Sequence, residues 1–248
     1  MSKKVVVGTC HICGTHGPMS LEHVPPQKAF NDRKVYIGRP ANGLPFGPDE
    51  MVDKKQIQGG VKMHTLCEPC NNNTGGWYGP AFINWCHQGM DIVRRSGGNP
   101  SLIYYYKAQP LNVLKQIVTM FFSVLGPEYQ KHDPDLVTFV LSREERGLPP
   151  GVRFFTYYNA GTPHDKLRYA PPIVKMNIET GLNSMFSEIT FPPFGYVMVM
   201  ADTEAPDSSL VEISHFSKCK YDAVREISLQ LPVMATHLRM PGDYRKIA

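Results

Sequence analysis

Two Cys-x2-Cys pairs, Cys10/Cys13 and Cys67/Cys70, stand on either side of a Glu22-His23 dipeptide, and Asn71 to Asn73 follow the second pair directly. That spacing lets each tight turn present two thiolates, and four sulfurs close a tetrahedral zinc site. A closed zinc hydrolyses nothing; its task is to tie remote chain segments together. The segments tied here carry a carboxylate beside an imidazole, and a run of carboxamides. Brought into one volume, Glu22, His23 and Asn71 would suit a second, hard divalent ion, Mg²⁺ or Mn²⁺. His23, as neutral imidazole, can take a proton from water near neutral pH. Lys28 is placed to steer a neighbouring phosphate.

The backbone that must position these groups is constrained. Neighbours in a regular strand point to opposite faces, so Glu22 and His23 share one ion only if the chain is irregular there. Pro25-Pro26 then forces an extended path that ends any pairing. Val5 to Val7 reads as a short strand entering the first cysteine turn. Residues 14–66 are too long for a structureless loop, so short strands are expected near Val35-Tyr36-Ile37 and from Val61 to Thr65, the latter leading into the second cysteine turn. A helix is expected to start at the asparagines and break at Gly75-Gly76, with a second from Pro80 to about Arg95. Arg94 to Pro100 reads as a linker.

Beyond it, apolar residues from Leu111 to Phe122 recur at helical spacing on a heavily buried helix. Later segments read as strands: Leu136 to Leu141, Val152 to Tyr158, Ile173 to Ile178, Tyr196 to Met200, Leu210 to Ile213 and Glu226 to Val233. The fold class is α+β, the C-terminal part having a mostly antiparallel sheet. Two units are expected, residues 1–95 and 101–248.

Of 248 residues 42% are hydrophobic and 19% charged, which fits a globular chain rather than a disordered or fibrous one. No apolar run is long enough to span a bilayer, and the valines after Lys3-Lys4 are too few for a secretory signal. A cytoplasmic location is expected, in which six cysteines read as metal ligands and small buried residues (Cys86, Cys219) rather than disulfides. The net charge of +4 permits a nucleic-acid partner without demonstrating one.

The stretch Cys-His-Ile-Cys, Leu-Glu-His-Val-Pro-Pro and Leu-Cys-Glu-Pro-Cys-Asn-Asn-Asn-Thr-Gly resembles the HNH endonuclease family, in particular its zinc-clamped members. The likeness covers residues 5 to 80. It implies a ββα-metal fold: a two-stranded ribbon on a helix with a divalent ion between them, and a structural four-cysteine zinc beside it. It further implies phosphodiester hydrolysis in DNA, double-stranded ahead of single-stranded DNA or RNA, in a bacterial or phage defence context. His23 would be the general base, and Glu22 with Asn71 would hold Mg²⁺ or Mn²⁺. Three positions depart from the family pattern: Glu22 replaces the usual aspartate, Thr74 stands where a second ligand or lysine is common, and Lys62 or His64 lies where the central asparagine belongs. His64 is then a candidate to orient His23 or to bind the ion. A regulatory protein or a second copy of the chain is a further candidate partner.

Plainer readings stand beside these. His11, inside the first cysteine turn, is expected to point outward. Trp77-Tyr78 and Tyr104 to Tyr106 can stack on bases, but packing is favoured. The rival reading of the whole chain is a zinc-stabilised binding or scaffold module with a degenerate site.

Overall fold

β1 (Val7–Thr9) and β2 (His16–His23) form a hairpin around the first cysteine turn. The chain then makes a separate two-stranded ribbon, β3 (Val35–Pro40) with β4 (Met51–Ile57), and returns as β5 (Lys62–Cys67) along the far side of β2. All pairings in the sheet β1-β2-β5 are antiparallel. The computed structural model describes residues 5–32, 34–40, 51–96, 99, 101–159, 168–176, 183–200, 203–205 and 207–234. Lys3, Lys4, Pro45, Pro48, Gly97, Gly98, Pro100 and Ile178 lie outside the described residues.

β5 runs straight into α1 (Glu68–Ser96). The expected break at Gly75-Gly76 does not occur, and Pro80 lies inside one continuous helix of 29 residues. Each glycine costs about 1 kcal/mol relative to alanine, and Pro80 removes one helical hydrogen bond. All three are exposed, and the opposite face buries Tyr78, Ala81, Phe82, Trp85, Cys86 and Met90. Packing of that face outweighs the local penalties, which is how most helices are held.

After α1 come β6 (Tyr104–Ala108), the apolar α2 (Pro110–Leu125), a single turn α3 (Tyr129–His132) and α4 (Pro134–Leu141). The segment Leu136 to Leu141, expected as a strand, is therefore helical. Its start is set by Asp133, whose carboxylate accepts from the Leu136 N–H at 3.0 Å, with Pro134 in the first turn. β7 (Arg153–Tyr158), β8 (Arg168–Met176), β9 (Asn183–Phe191), β10 (Phe194–Met200) and β11 (Val211–Glu212) form an antiparallel sheet in the order β11-β7-β10-β9-β8. A short 3-10 helix (Ser214–Lys218) leads to β12 (Arg225–Leu229), which pairs with β6. The antiparallel α+β character expected for this half is what the chain adopts.

The units expected at 1–95 and 101–248 do not have separate cores. One buried cluster runs from Cys10, Ile12 and Met19 through Trp85 and the apolar face of α2 to Phe194 and Phe216. Trp85 sits at its centre, stacked on Phe194 (ring centroids 4.9 Å, 18°) and against Tyr106 (4.4 Å), with its Nε1–H donating to the Tyr196 hydroxyl at 3.2 Å. Gly89 allows α1 this close: a Cβ there would come within 2.3 Å of the Phe194 ring. A smaller cluster, with Phe155, Tyr157, Val197 and Val199, lies on the sheet's other face.

Candidate functional site

The four expected sulfurs meet. The ligand atoms of Cys10, Cys13, Cys67 and Cys70 all lie within 4.8 Å of one another, and Cys13 Sγ is 3.7 Å from Cys67 Sγ although 54 positions separate them. The first pair is shaped by a tight turn in which the Gly14 N–H donates to the Cys10 carbonyl. The second pair is the end of β5 and the first turn of α1. The His11 N–H donates to the Thr65 carbonyl at 2.8 Å, joining the turns. Among themselves the sulfurs divide their protons unevenly: the Cys70 thiol's hydrogen bond draws Cys10 down to about 4, and the same bond pushes Cys70 up. A divalent cation replaces that imbalance with thiolate ligands. The set can hold a metal ion such as zinc.

His11 corrects an expectation. Instead of pointing outward, it is half-buried, and its Nδ1 lies 3.1 Å from the carbonyls of both Phe122 and Ser123. A carbonyl only accepts, so the imidazole N–H satisfies the last turn of α2, whose carbonyls have no partner within the helix. The metal corner is thereby docked on α2.

Glu22 and His23 part company. The β2–β5 register slips by one between Ser20 and Glu22: Leu21, half exposed, stands against two residues of β5, His64 and Thr65, so the extra residue lies on β5. Regular alternation from buried Met19 would bury Leu21 and expose Glu22, yet Glu22 is buried and Leu21 exposed, so burial along β2 departs from strict alternation where the register slips. Glu22 pairs with Met63 and lies against Thr65. It is buried, it accepts a hydrogen bond from the Thr65 hydroxyl, and the Ser123 hydroxyl of α2 lies beside it. Burial pushes it up to about 7. The expected Mg²⁺ or Mn²⁺ site on Glu22 and Asn71 does not fit these surroundings. A carboxylate enclosed between two hydroxyls leaves no open position for an ion that must also meet substrate.

His23 pairs with Lys62 across the two strands. It is half-buried, and its Nε2 is 3.1 Å from the Gly59 carbonyl. Nε2 therefore carries the proton and Nδ1 keeps its lone pair. Burial holds the imidazole below its ordinary range, so it is neutral at physiological pH. Strand alternation sets His64 on the same side of β5 as Lys62, and His64 is exposed. Asn71 is half-buried in the first turn of α1, one residue past Cys70. Thr74 is spent within the helix, its hydroxyl donating to the Cys70 carbonyl at 2.9 Å. Lys28 is exposed on the turn that leaves β2.

Asn31 has no counterpart among the residues the sequence singled out. It is buried, its amide donates to the carbonyls of Pro25 (2.7 Å) and Val61 (3.0 Å), and its side-chain oxygen accepts from the Val61 N–H (2.7 Å). This residue closes the segment leaving His23 onto the turn whose Gly59 carbonyl orients His23. Gly60 makes room: its φ is +86°, and a Cβ would fall 1.9 Å from the Asn31 carbonyl oxygen. The Gly59-Gly60 dipeptide is the one visible signal of this turn.

No family, no curated protein and no solved structure matches this chain. Its chemistry has to be read from its own geometry. Among the described residues the four cysteines are the only cluster of three or more His, Cys, Asp or Glu able to hold a metal, and no helix is long and apolar enough to cross a membrane.

Proposed function

We propose that this protein is an HNH-type phosphodiester hydrolase acting on DNA, with His23 as the general base and a structural zinc in the four-cysteine corner. The observation that supports the reading most is the tautomer imposed on His23. The Gly59 carbonyl holds the proton on Nε2, so Nδ1 offers a lone pair at a half-buried position that substrate can reach. A water giving its proton to Nδ1 attacks phosphorus, the bond to the departing sugar oxygen breaks, and that oxygen takes up a proton from solvent water. Such proton transfer contributes about 10²- to 10⁴-fold. Lys28 is placed to hold an adjacent phosphate. No step is assigned to Glu22, whose surroundings leave it no reacting partner.

The test is nicking of supercoiled DNA with Mg²⁺ or Mn²⁺ supplied. His23→Ala is expected to slow it about 10²-fold or more while zinc content and melting temperature stay unchanged. Equal nicking by wild type and variant sinks the assignment. Glu22→Gln is expected to leave nicking within a few-fold; its abolition would restore Glu22 as a metal ligand.

A second reading is favoured by that same burial of Glu22: a zinc-stabilised binding or scaffold module. On it, the wild-type protein cleaves no DNA or RNA with any divalent ion.

A further inference from the structure

The second half of α1 presents a solvent stripe that the hydrolytic site does not use: Asn84, His87, Asp91, Arg94 and Arg95, all exposed. We propose that this stripe, flanked by Lys28 on one side and Lys107 on the other, carries the phosphate backbone of duplex DNA. The proposal takes its polyanion from the nuclease reading and adds where that polyanion lies.

One flank is the turn leaving His23. The Lys28 carbonyl accepts from His87 Nε2 at 2.9 Å, which fixes the turn against α1. Phe30 stacks on the His87 ring (centroids 4.8 Å, 24°), and the Arg94 guanidinium lies 6.0 Å over Phe30. Phe30 holds a φ of +67°, a conformation costing an aromatic residue on the order of 1–3 kcal/mol unless its surroundings impose it. Here they do, and the result is a fixed Lys28–Phe30–His87–Arg94 row in which both cations remain exposed. Asn31, the next residue, is tied to the turn that orients His23. The row and the base are thus parts of one closed loop.

The other flank is β6. The side chains of Asn84 and Gln88 donate to the Lys107 carbonyl (3.4 and 2.9 Å), and Gln88 accepts from the Lys107 N–H. Lys107 and Tyr105 are exposed on that strand. The four cations Lys28, Arg94, Arg95 and Lys107 stand against the carboxylates of Asp91 and of Glu226, which pairs with Lys107 across the ribbon.

Duplex fits better than a single strand, which needs free aromatic faces for its bases. Phe30 is covered by His87 and Arg94, Trp77 lies under the Arg143 guanidinium at 5.5 Å, and Tyr78 is fully buried. Of the aromatics along this face, Tyr105 is open. What the stripe offers is charge at helical spacing, the pattern for backbone contact.

The experiment measures binding of a short labelled DNA duplex to the His23→Ala protein across a salt series. Arg94→Ala with Arg95→Ala is expected to weaken binding about tenfold and to make the log–log salt slope shallower by about two. Arg146→Ala, exposed on another loop, is expected to change neither. Unaltered affinity and slope in the double variant overturn the proposal, as does failure of the parent protein to bind duplex DNA, or its tighter binding of single-stranded DNA or RNA. Binding that depends on Arg94 and Arg95 in a protein that never cleaves leaves the track standing and removes the nuclease reading. Cleavage that ignores both arginines does the reverse.

Discussion

The cysteine corner and the aromatic core around Trp85 are two answers to one problem, joining segments far apart in sequence. In the corner, four sulfurs from two turns meet at the edge of the main core, with Cys10 and Cys70 buried, Cys13 exposed and Cys67 partly so. In the core, Trp85, Tyr106, Phe194 and Phe216 exclude water and touch face to face or edge to face. The first can be tied by a metal ion held among its four sulfurs, the second is held by area removed from water. α1 takes part in both, with Cys70 in its first turn and Trp85 near its middle. A disturbance in either region is therefore felt along one helix.

The two regions separate most visibly at Trp85. Trp85→Ala is expected to cost about 3–5 kcal/mol, read as a shift in the denaturant midpoint of the whole chain. Cys67→Ser should act differently: bound metal falls to none by elemental analysis, and amide protection is lost in β1, β2 and β5 while α2 keeps it. Equal loss in α2 would mean that the corner, not the core, holds the helices. Asn31→Ala should remove about 1–3 kcal/mol, because the Val61 N–H and two carbonyls lose buried partners. It should also slow nicking nearly as much as the loss of His23 itself.

The smallest effect is electrostatic. Lys115 on α2 is fully buried, donates to the Ser142 and Arg143 carbonyls, and lies 4.6 Å from the Phe139 ring. Burial lowers it to about 8. The unfolded chain keeps its proton to higher pH, so stability should rise as pH climbs above about 8. Lys115→Met should abolish that rise between pH 8 and about 9.5; an identical pH dependence in both proteins would show that the lysine titrates normally.

Much of the corner is legible in the sequence. Cys-x2-Cys spacing is a local property, and four thiolates have few alternatives to sharing an ion. β3, β5, β7, β10 and β12 follow from short apolar runs between turn residues, and α2 from its helical period. α1 is misread because Gly75-Gly76 and Pro80 are local signals, overridden by a buried face that the same residues cannot announce. α4 is misread because Asp133 caps it, and a lone aspartate before a proline reads equally well as a turn.

The chain by itself determined that four sulfurs gather and that an imidazole follows a carboxylate on a strand. Only the tertiary structure decided which way each points. Side-chain direction in a strand is a matter of parity, and a one-residue slip in the β2–β5 register, with His64 and Thr65 both against Leu21, breaks it at this point. That slip turns Glu22 toward Ser123 and leaves His23 to Gly59. The register that permits it is fixed by pairing with β5, a strand that arrives only after the whole β3–β4 ribbon has been made.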